Sequence, residues 1–257
     1  MKLGLVTYNM AKDWDIDTII ETCAATGFQG VELRTTHAHG VEVTLNANER
    51  KAVRKKFGDS PIELCGLGSA FEYHAIDKNE LRRNIKGTKE YSKLAHDVGA
   101  PGIKVRPNGL HEEAGIPKEK TLEQIGLALR ECGEFAKDYG VEIRLEVHGR
   151  ATSEVPNIRT IMDVANHDNV FVCWNSNQSD VDSNGSVKKN FELVKDWIRL
   201  VHMRDLYVQS YPWRELFTLL INTGYQGYCL AEIPESPDPQ RVMNYYSALW
   251  RELCRHQ

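Results

Sequence analysis

Val141-Glu-Ile-Arg-Leu-Glu-Val-His148 decides the fold. Its odd-numbered positions are Val, Ile, Leu and Val, and its even-numbered positions are Glu142, Arg144, Glu146 and His148. Strand residues alternate between two faces, so this segment has one apolar face and one ionisable face. A half-solvated antiparallel strand has the same pattern, as does a parallel strand whose polar face lines the inside of a barrel. The rest of the chain decides between them.

Working outward from this segment, short strand-like runs alternate with longer helical ones. The strand-like runs are Leu3–Thr7, Gln29–Arg34, Pro61–Leu67, Gly102–Arg106, Val141–Val147, Val170–Asn175, Trp197–Met203 and Tyr228–Ile233. Helical patterns follow each of them, the first over Asp15–Thr26 with Asp17 as its cap and Gly27 as its stop. Strict alternation implies parallel strands joined by right-handed crossovers. Eight such units fill the chain, which predicts the α/β class and a single (β/α)8 TIM barrel over residues 1–257. A doubly wound open sheet is the runner-up. It is disfavoured because the turn after the first strand, Thr7-Tyr-Asn-Met-Ala-Lys12, lacks a Gly-x-Gly-x-x-Gly pattern.

In a barrel the apolar strand faces meet the helices and the ionisable faces point into the lumen. Glu32 and Arg34, Lys104 and Arg106, His202 and Arg204, and Glu232 repeat the alternation of the opening segment. Buried charges must pair, bind metal or line a wet pocket. Glu32, Arg34, Lys104, Glu142 and Arg144 are expected to form an internal ion-pair network in the middle and bottom of the lumen. Glu146, Asn175, His202 and Glu232 fall at the C-terminal ends of strands five to eight, the face where barrel active sites are built. Two carboxylates, an amide oxygen and an imidazole form a mixed hard-donor set. It suits Mn2+ as first choice, with Mg2+, Co2+ or Zn2+ as alternatives.

Composition narrows the classes of function. The chain has 32 Lys+Arg against 36 Asp+Glu, a net charge of −4, which argues against a nucleic-acid partner. No apolar run approaches the ~18 residues of a membrane span, so no membrane partner is expected. The opening MKLGLVTYNM has no signal-peptide core, and a cytoplasmic location is expected. The six cysteines are scattered with no C-x-x-C, the pattern of reduced buried thiols. The last helix carries Tyr245, Tyr246, Leu249 and Trp250. These residues either pack on the barrel, the favoured reading, or form a homo-oligomer face.

The runs Ile143-Arg-Leu-Glu146-Val-His148, Leu200-Val-His202-Met-Arg-Asp205 and Leu230-Ala-Glu232-Ile resemble the xylose isomerase-like TIM-barrel superfamily. The resemblance spans nearly the whole chain and is specific for the superfamily rather than for one substrate. The superfamily includes sugar isomerases and epimerases, inosose dehydratase and endonuclease IV. The last needs a three-metal site and a basic groove that this chain does not offer. In the epimerase branch Glu, Asp, His and Glu from these strands hold the metal, which carries over to Glu146, His202 and Glu232. Asn175 stands where Asp is usual and Gln178 where His is frequent, so the ligand set would carry two negative charges instead of three. Asp180 or Asp182 in the following loop is a further candidate.

The resemblance implies a small carbohydrate substrate and proton transfer next to a metal-chelated carbonyl, through an enediolate. Glu146 and Glu232 would be both ligands and proton-transfer groups. His148 is expected to bond substrate, act as an acid or orient a ligand. Lys104, Arg106, Gln178, Arg204, Tyr8 and Trp14 complete the substrate-binding candidates, with Trp14 also a candidate cap of the first helix. His37 and His39 form an H-x-H pair, read as a solvated loop pair rather than as ligands. Phe71, Tyr73 and His74 are candidates for the pocket wall. No Gly-rich phosphate cradle is present, which favours an unphosphorylated substrate. The leading reading is a sugar isomerase or epimerase. Its rivals are a lyase that eliminates a β-oxygen from a keto-sugar, inosose or 3-keto-glycoside, and a non-catalytic sugar-binding barrel.

Overall fold

The computed structural model describes residues 1–255. Eight parallel strands close into a barrel in sequence order, and β1 pairs with both β2 and β8. The strands are β1 (Lys2–Val6), β2 (Gly30–Arg34), β3 (Glu63–Glu72), β4 (Gly102–Arg106), β5 (Glu142–Glu146), β6 (Val170–Asn175), β7 (Ile198–Met203) and β8 (Tyr228–Ala231). The helices between and after them are α1 (Ile16–Thr26), α2 (Ala47–Gly58), α3 (Lys78–Val98), α4 (Lys118–Lys137), α5 (Val155–Ala165), α6 (Lys188–Val194), α7 (Trp213–Asn222) and α8 (Pro239–Leu253). Among the described residues no helix is long and apolar enough to cross a membrane.

Local chemistry sets the element ends. The Asp15 side chain accepts from Thr18 N–H and caps α1, so Asp15 takes the capping role expected of Asp17, which lies in the first turn. Asn46 and Glu49 form a capping box on α2. The third strand departs most from expectation, running five residues beyond Leu67. Its extension, Gly68-Ser-Ala-Phe-Glu72, pairs Glu72 with Arg106 of β4 across a register shift.

The core has two parts. The larger lies between strands and helices and holds the apolar strand faces, including Leu5, Val31, Leu33, Ile103, Val105, Ile143, Leu145, Val172 and Trp174. A smaller cluster in the lumen contains Val6, Cys65, Cys173, Leu200, Tyr228 and Leu230. Cys173, Leu200 and Leu230 thus share the inner face with Asn175, His202 and Glu232, as alternation requires. All six cysteines are unpaired, and five of them are buried. On α8, Tyr246 is buried with its hydroxyl donating to the Arg204 carbonyl at 3.0 Å, whereas Tyr245 is exposed.

The expected five-residue ion-pair network does not exist as one unit. Arg144 pairs with Glu142 at 2.7 Å and donates to the Cys65 carbonyl at the bottom of the barrel. Lys104 instead reaches up to Glu146, and Glu32 faces His202. Arg34 lies at the mouth, its guanidinium 5.1 Å from the centre of the Tyr8 ring. Side-chain length and height along each strand separate these groups into layers. Glycines make the space: a Cβ at Gly102 would lie 2.5 Å from Arg144 Nε, and one at Gly68 would lie 2.7 Å from Glu32 Oε1.

Candidate active site

A cavity of about 440 Å3 opens at the C-terminal ends of the strands. It is lined by Tyr8, Arg34, Lys104, Arg106, Glu146, His148, Asn175, Asn177, Arg204, Asp205, Glu232 and Pro234. Each of the eight strand ends except β3 therefore contributes at least one side chain, as the loops of a barrel's C-terminal face do.

At its floor, Glu146 of β5, His202 of β7 and Glu232 just after β8 converge, with one ligand atom from each lying within 4.8 Å of the others. The register explains the convergence. Asn175 of β6 is paired with His202, and His202 with Leu230, two residues before Glu232. His202 is fully buried; its Nδ1 lies 3.4 Å from Glu146 Oε1 and 3.7 Å from Glu232 Oε2. Its Nε2 lies 3.4 Å from Glu32 Oε1 on the opposite side. Among the described residues neither imidazole nitrogen has a hydrogen-bond partner, and neither Glu32 oxygen does. Buried polar atoms without partners are costly, and the unpartnered Nδ1 beside the Glu146 and Glu232 carboxylates fits a cation there. Glu32 then faces the ring from behind, the usual arrangement for a ligating histidine. The donor set of two carboxylates and one imidazole fits a divalent metal.

Asn175 stands beside this group with its Nδ2 donating to Glu146 Oε1 at 3.2 Å. Its amide would have to turn to offer an oxygen to the same point. Asp180 and Asp182 take other roles. Asp180 is buried, accepting from Asn177 N–H and from the Tyr211 hydroxyl, and Asp182 caps its own loop through Asn184 and Ser186 N–H.

The electrostatics separate the two carboxylates. Burial favours protonation of Glu146, but the Lys104 ammonium and His202 outweigh it and hold its pKa well below the usual range. Burial raises the pKa of Glu232; His202 pulls it down and Glu146 pushes it up. Burial works against the imidazolium of His202, but Cys173 and Glu32 beside it leave its pKa well above the ordinary value. Burial lowers the pKa of His148, against the pull of Glu146. Its Nδ1 bonds Asn108 Oδ1 at 2.6 Å. A neutral ring donating from Nδ1 leaves Nε2 as an acceptor.

Behind Arg106 lies a group missed in the sequence. Glu72, on the unforeseen extension of β3, accepts from Arg106 Nη2 at 2.6 Å, from Asn108 Nδ2, and from His74 Nε2 at 3.0 Å. Asn108 in turn holds His148, so Glu72 buttresses two lining residues at once. The missing signal was any apolar alternation after Leu67.

Other expected site residues lie elsewhere. Gln178 is exposed in a 3-10 turn (Gln178–Asp180) and does not line the cavity. Trp14 packs partly buried against the main core, also outside the lining. His39 is buried and clips its own loop through the Arg34 carbonyl and Val41 N–H, and His37 bonds Thr7 Oγ1. Burial holds both imidazoles below their usual pKa. Tyr73 is buried against Thr88, and Phe71 packs edge-on against Tyr91. Arg34, Asn177 and Asp205 were not foreseen as lining residues. Arg34 could have been found by the same rule as Arg106, since it ends its strand on the lumen face.

Comparison with known proteins agrees with this architecture. A D-psicose 3-epimerase from Clostridium cellulolyticum H10, solved with D-tagatose, superposes with a TM-score of 0.83 at 15% identity, covering 100% of both chains. The IOLI protein, described with a binding zinc atom, gives 0.77 at 17% identity over 98% of this chain and 96% of its own. A probable 3-DHS dehydratase from Bacillus anthracis gives 0.73 at 14% identity over 100% of both. At these identities the likeness shows the fold. No curated protein matches the sequence. The sequence profile of the xylose isomerase-like TIM barrel matches residues 20–250, and the chain belongs to that family.

Proposed function

We propose that the chain is a metal-dependent sugar isomerase or epimerase. The observation that carries this reading is the convergence of Glu146, His202 and Glu232 on one point at the floor of an open polar cavity, with a buried imidazole nitrogen left unpartnered. Glu146, His202 and Glu232 would hold the cation, with Asn175 as a fourth donor after its amide turns. Mn2+ is the proposed occupant, and Mg2+, Co2+ and Zn2+ fit the same donors. The cation supplies Lewis-acid polarisation of adjacent carbonyl and hydroxyl oxygens, which acidifies the carbon between them.

The protein's own groups then handle the proton. Glu146 is kept ionised by Lys104 and is the proposed base; Glu232, on the other side of the site, is the proposed partner that returns the proton. β6 and β7 separate their strands, so the two carboxylates approach the reacting carbon from different directions. The Lys104 ammonium, 2.9 Å from Glu146, is placed to stabilise negative charge developing on a substrate oxygen. His148 accepts a substrate hydroxyl at Nε2, and Tyr8 offers a ring face to the sugar. The epimerases among the structural neighbours support this chemistry.

A lyase uses the same first proton abstraction and then expels a β-oxygen. The buried ammonium beside the base favours keeping this second reading, since it can assist a departing oxygen, and a dehydratase is among the structural neighbours. The test is solvent deuterium incorporation by Mn2+-loaded protein over a panel of ketoses, inososes and 3-keto-glycosides, with product mass recorded. Exchange with unchanged carbon skeleton supports the isomerase. Loss of water or of an aglycone supports the lyase. No exchange with any substrate, in protein shown by elemental analysis to carry metal, overturns both.

A further inference from the structure

Two of the cavity's four cationic side chains have no acid paired with them among the described residues. Its lining has four cationic side chains, Arg34, Lys104, Arg106 and Arg204, against the carboxylates of Glu146, Glu232 and Asp205. Two of the cations are accounted for: Lys104 by Glu146 at 2.9 Å and Arg106 by Glu72 at 2.6 Å. Arg34 and Arg204 make no ion pair among the described residues. The Nε and Nη2 atoms of Arg204 are buried with no hydrogen-bond acceptor. Donors of that kind are costly to leave unmet, and more so when charged.

We propose that the substrate carries an oxyanion, a carboxylate or a phosphate group, received by Arg204 and Arg34 above the Glu146–His202–Glu232 group. This inference rests on the reading of the cavity as a sugar site and adds the substrate's charge.

Three features support it. First, both guanidiniums are held by their faces. Arg34 lies 5.1 Å from the centre of the Tyr8 ring and Arg204 lies 5.5 Å from that of Tyr211. Stacking of this kind fixes the plane of the guanidinium without using its N–H donors. A planar fork of donors matches carboxylate and phosphate oxygens, whereas a sugar hydroxyl satisfies one donor at a time. Second, the acid nearest to answering Arg204 is silent. Asp180 accepts from Asn177 N–H and the Tyr211 hydroxyl through Oδ2 and its Oδ1 is buried without a partner, but burial, against the pull of Arg204, pushes its pKa up to about 8, so it is largely uncharged at neutral pH. Third, a divalent cation on Glu146 and Glu232 would cancel their two charges. The three arginines and Lys104 would then face Asp205 within the lining and Glu72 and Glu32 behind it.

The experiment uses titration calorimetry on the Mg2+-loaded full chain with D-gluconate, D-glucose 6-phosphate and neutral D-fructose as probes, at 50 and 300 mM NaCl. The expected result is that one or both anions bind at least about tenfold more tightly than D-fructose, with the difference shrinking at high salt. Arg204→Gln and Arg34→Gln should bring the anion-to-fructose ratio toward one. Neither arginine makes an ion pair among the described residues, so both variants should still fold, as a cooperative thermal transition would show. A preference for gluconate assigns a carboxylate, and one for glucose 6-phosphate assigns a phosphate; the lack of a Gly-rich cradle favours the former. D-fructose binding as well as both anions, an anion preference unchanged in both variants, or no binding of any probe would overturn the inference. Deuterium exchange on neutral and acidic ketoses separates this from the parent reading. Exchange on neutral ketoses alone sinks the anion and keeps the epimerase, and no exchange despite arginine-dependent anion binding does the reverse.

Discussion

Lys104 Nζ lies 2.9 Å from Glu146 Oε2, and the two side chains are 4% and 2% exposed. This pair joins β4 to β5 through the lumen rather than through the sheet, and it keeps the Glu146 carboxylate charged in a place where burial alone would neutralise it. Lys104→Met should leave that charge unanswered and lower the stability of metal-free protein by about 3–5 kcal/mol. Adding Glu146→Gln should restore much of the loss, because both members of the pair are then gone. Urea denaturation of the two single variants and the double variant measures the coupling; additive effects would show that the pair is not an interacting unit.

Glu232→Gln tests the second carboxylate. The amide keeps the shape but gives up proton transfer, so kcat should fall by about 10²–10⁴-fold. The variant should still fold to the wild-type melting temperature without metal. Unchanged turnover would exclude Glu232 from the chemistry.

Asn175→Asp places a third carboxylate 3.2 Å from Glu146. Without metal the like charges should lower the melting temperature by several degrees. With Mn2+ the order should reverse, and metal should be retained about tenfold more tightly. A variant whose melting temperature moves the same way in both conditions would mean that residue 175 does not face the cation.

Asp180 gives a pH dependence with a definite sign. Its pKa is about 8 in the fold against 3.8 for an ordinary Asp. A raised carboxyl pKa means that the folded state holds its proton longer than the unfolded chain does. The associated stability is complete below pH 4 and is lost as pH rises through 8. Asp180→Asn removes the ionisation, so the variant should gain on the wild type as pH increases from 6 to 9, by an amount on the order of a few kcal/mol. Parallel stability curves across that range would show that the carboxyl does not titrate there.

Gly149→Ala tests how His148 is positioned. At Gly149 φ is 93°, and a Cβ would lie 2.2 Å from the Asn108 carbonyl oxygen. The loops after β4 and β5 touch at this point, beside the Asn108–His148 hydrogen bond. The substitution should cost about 1–3 kcal/mol and separate the loops. KM should rise more than kcat falls if His148 binds substrate. A variant with wild-type KM would mean that the ring is held by other contacts.

The sequence made the barrel legible because its charges stand on strands. The alternation in Gly30–Arg34, Gly102–Arg106, Glu142–Glu146 and Ile198–Met203 carried the faces and the placement of Glu146 and His202 on the lumen side, and Asn175 was placed by its position at a strand end. The distribution of those charges by height was not legible. Lys104 and Arg144 follow the same alternation rule, but one rises to the site and the other turns down to Glu142, because strand tilt and side-chain reach set the layer. Glu72 was hidden because Ser69-Ala-Phe-Glu72 extends by pairing with β4 rather than by its own pattern. Loop residues fared worst. Gln178 was placed by the resemblance and Trp14 by nearness to a strand end, and a turn or a core contact carries each away from the opening.

Gly68 has no side chain, and a methyl group there would lie 2.7 Å from Glu32 Oε1, which lies 3.4 Å from His202 Nε2. The aim of the central imidazole is thus regulated by an absence on β3, a strand that gives no side chain to the cavity. A single hydrogen-for-methyl exchange at Gly68 would press on the carboxylate, tilt the ring and detune the site while every residue that lines the opening stayed the same. Sites of this kind drift or adapt through their empty positions, and a catalogue of contacts would pass over the residue responsible.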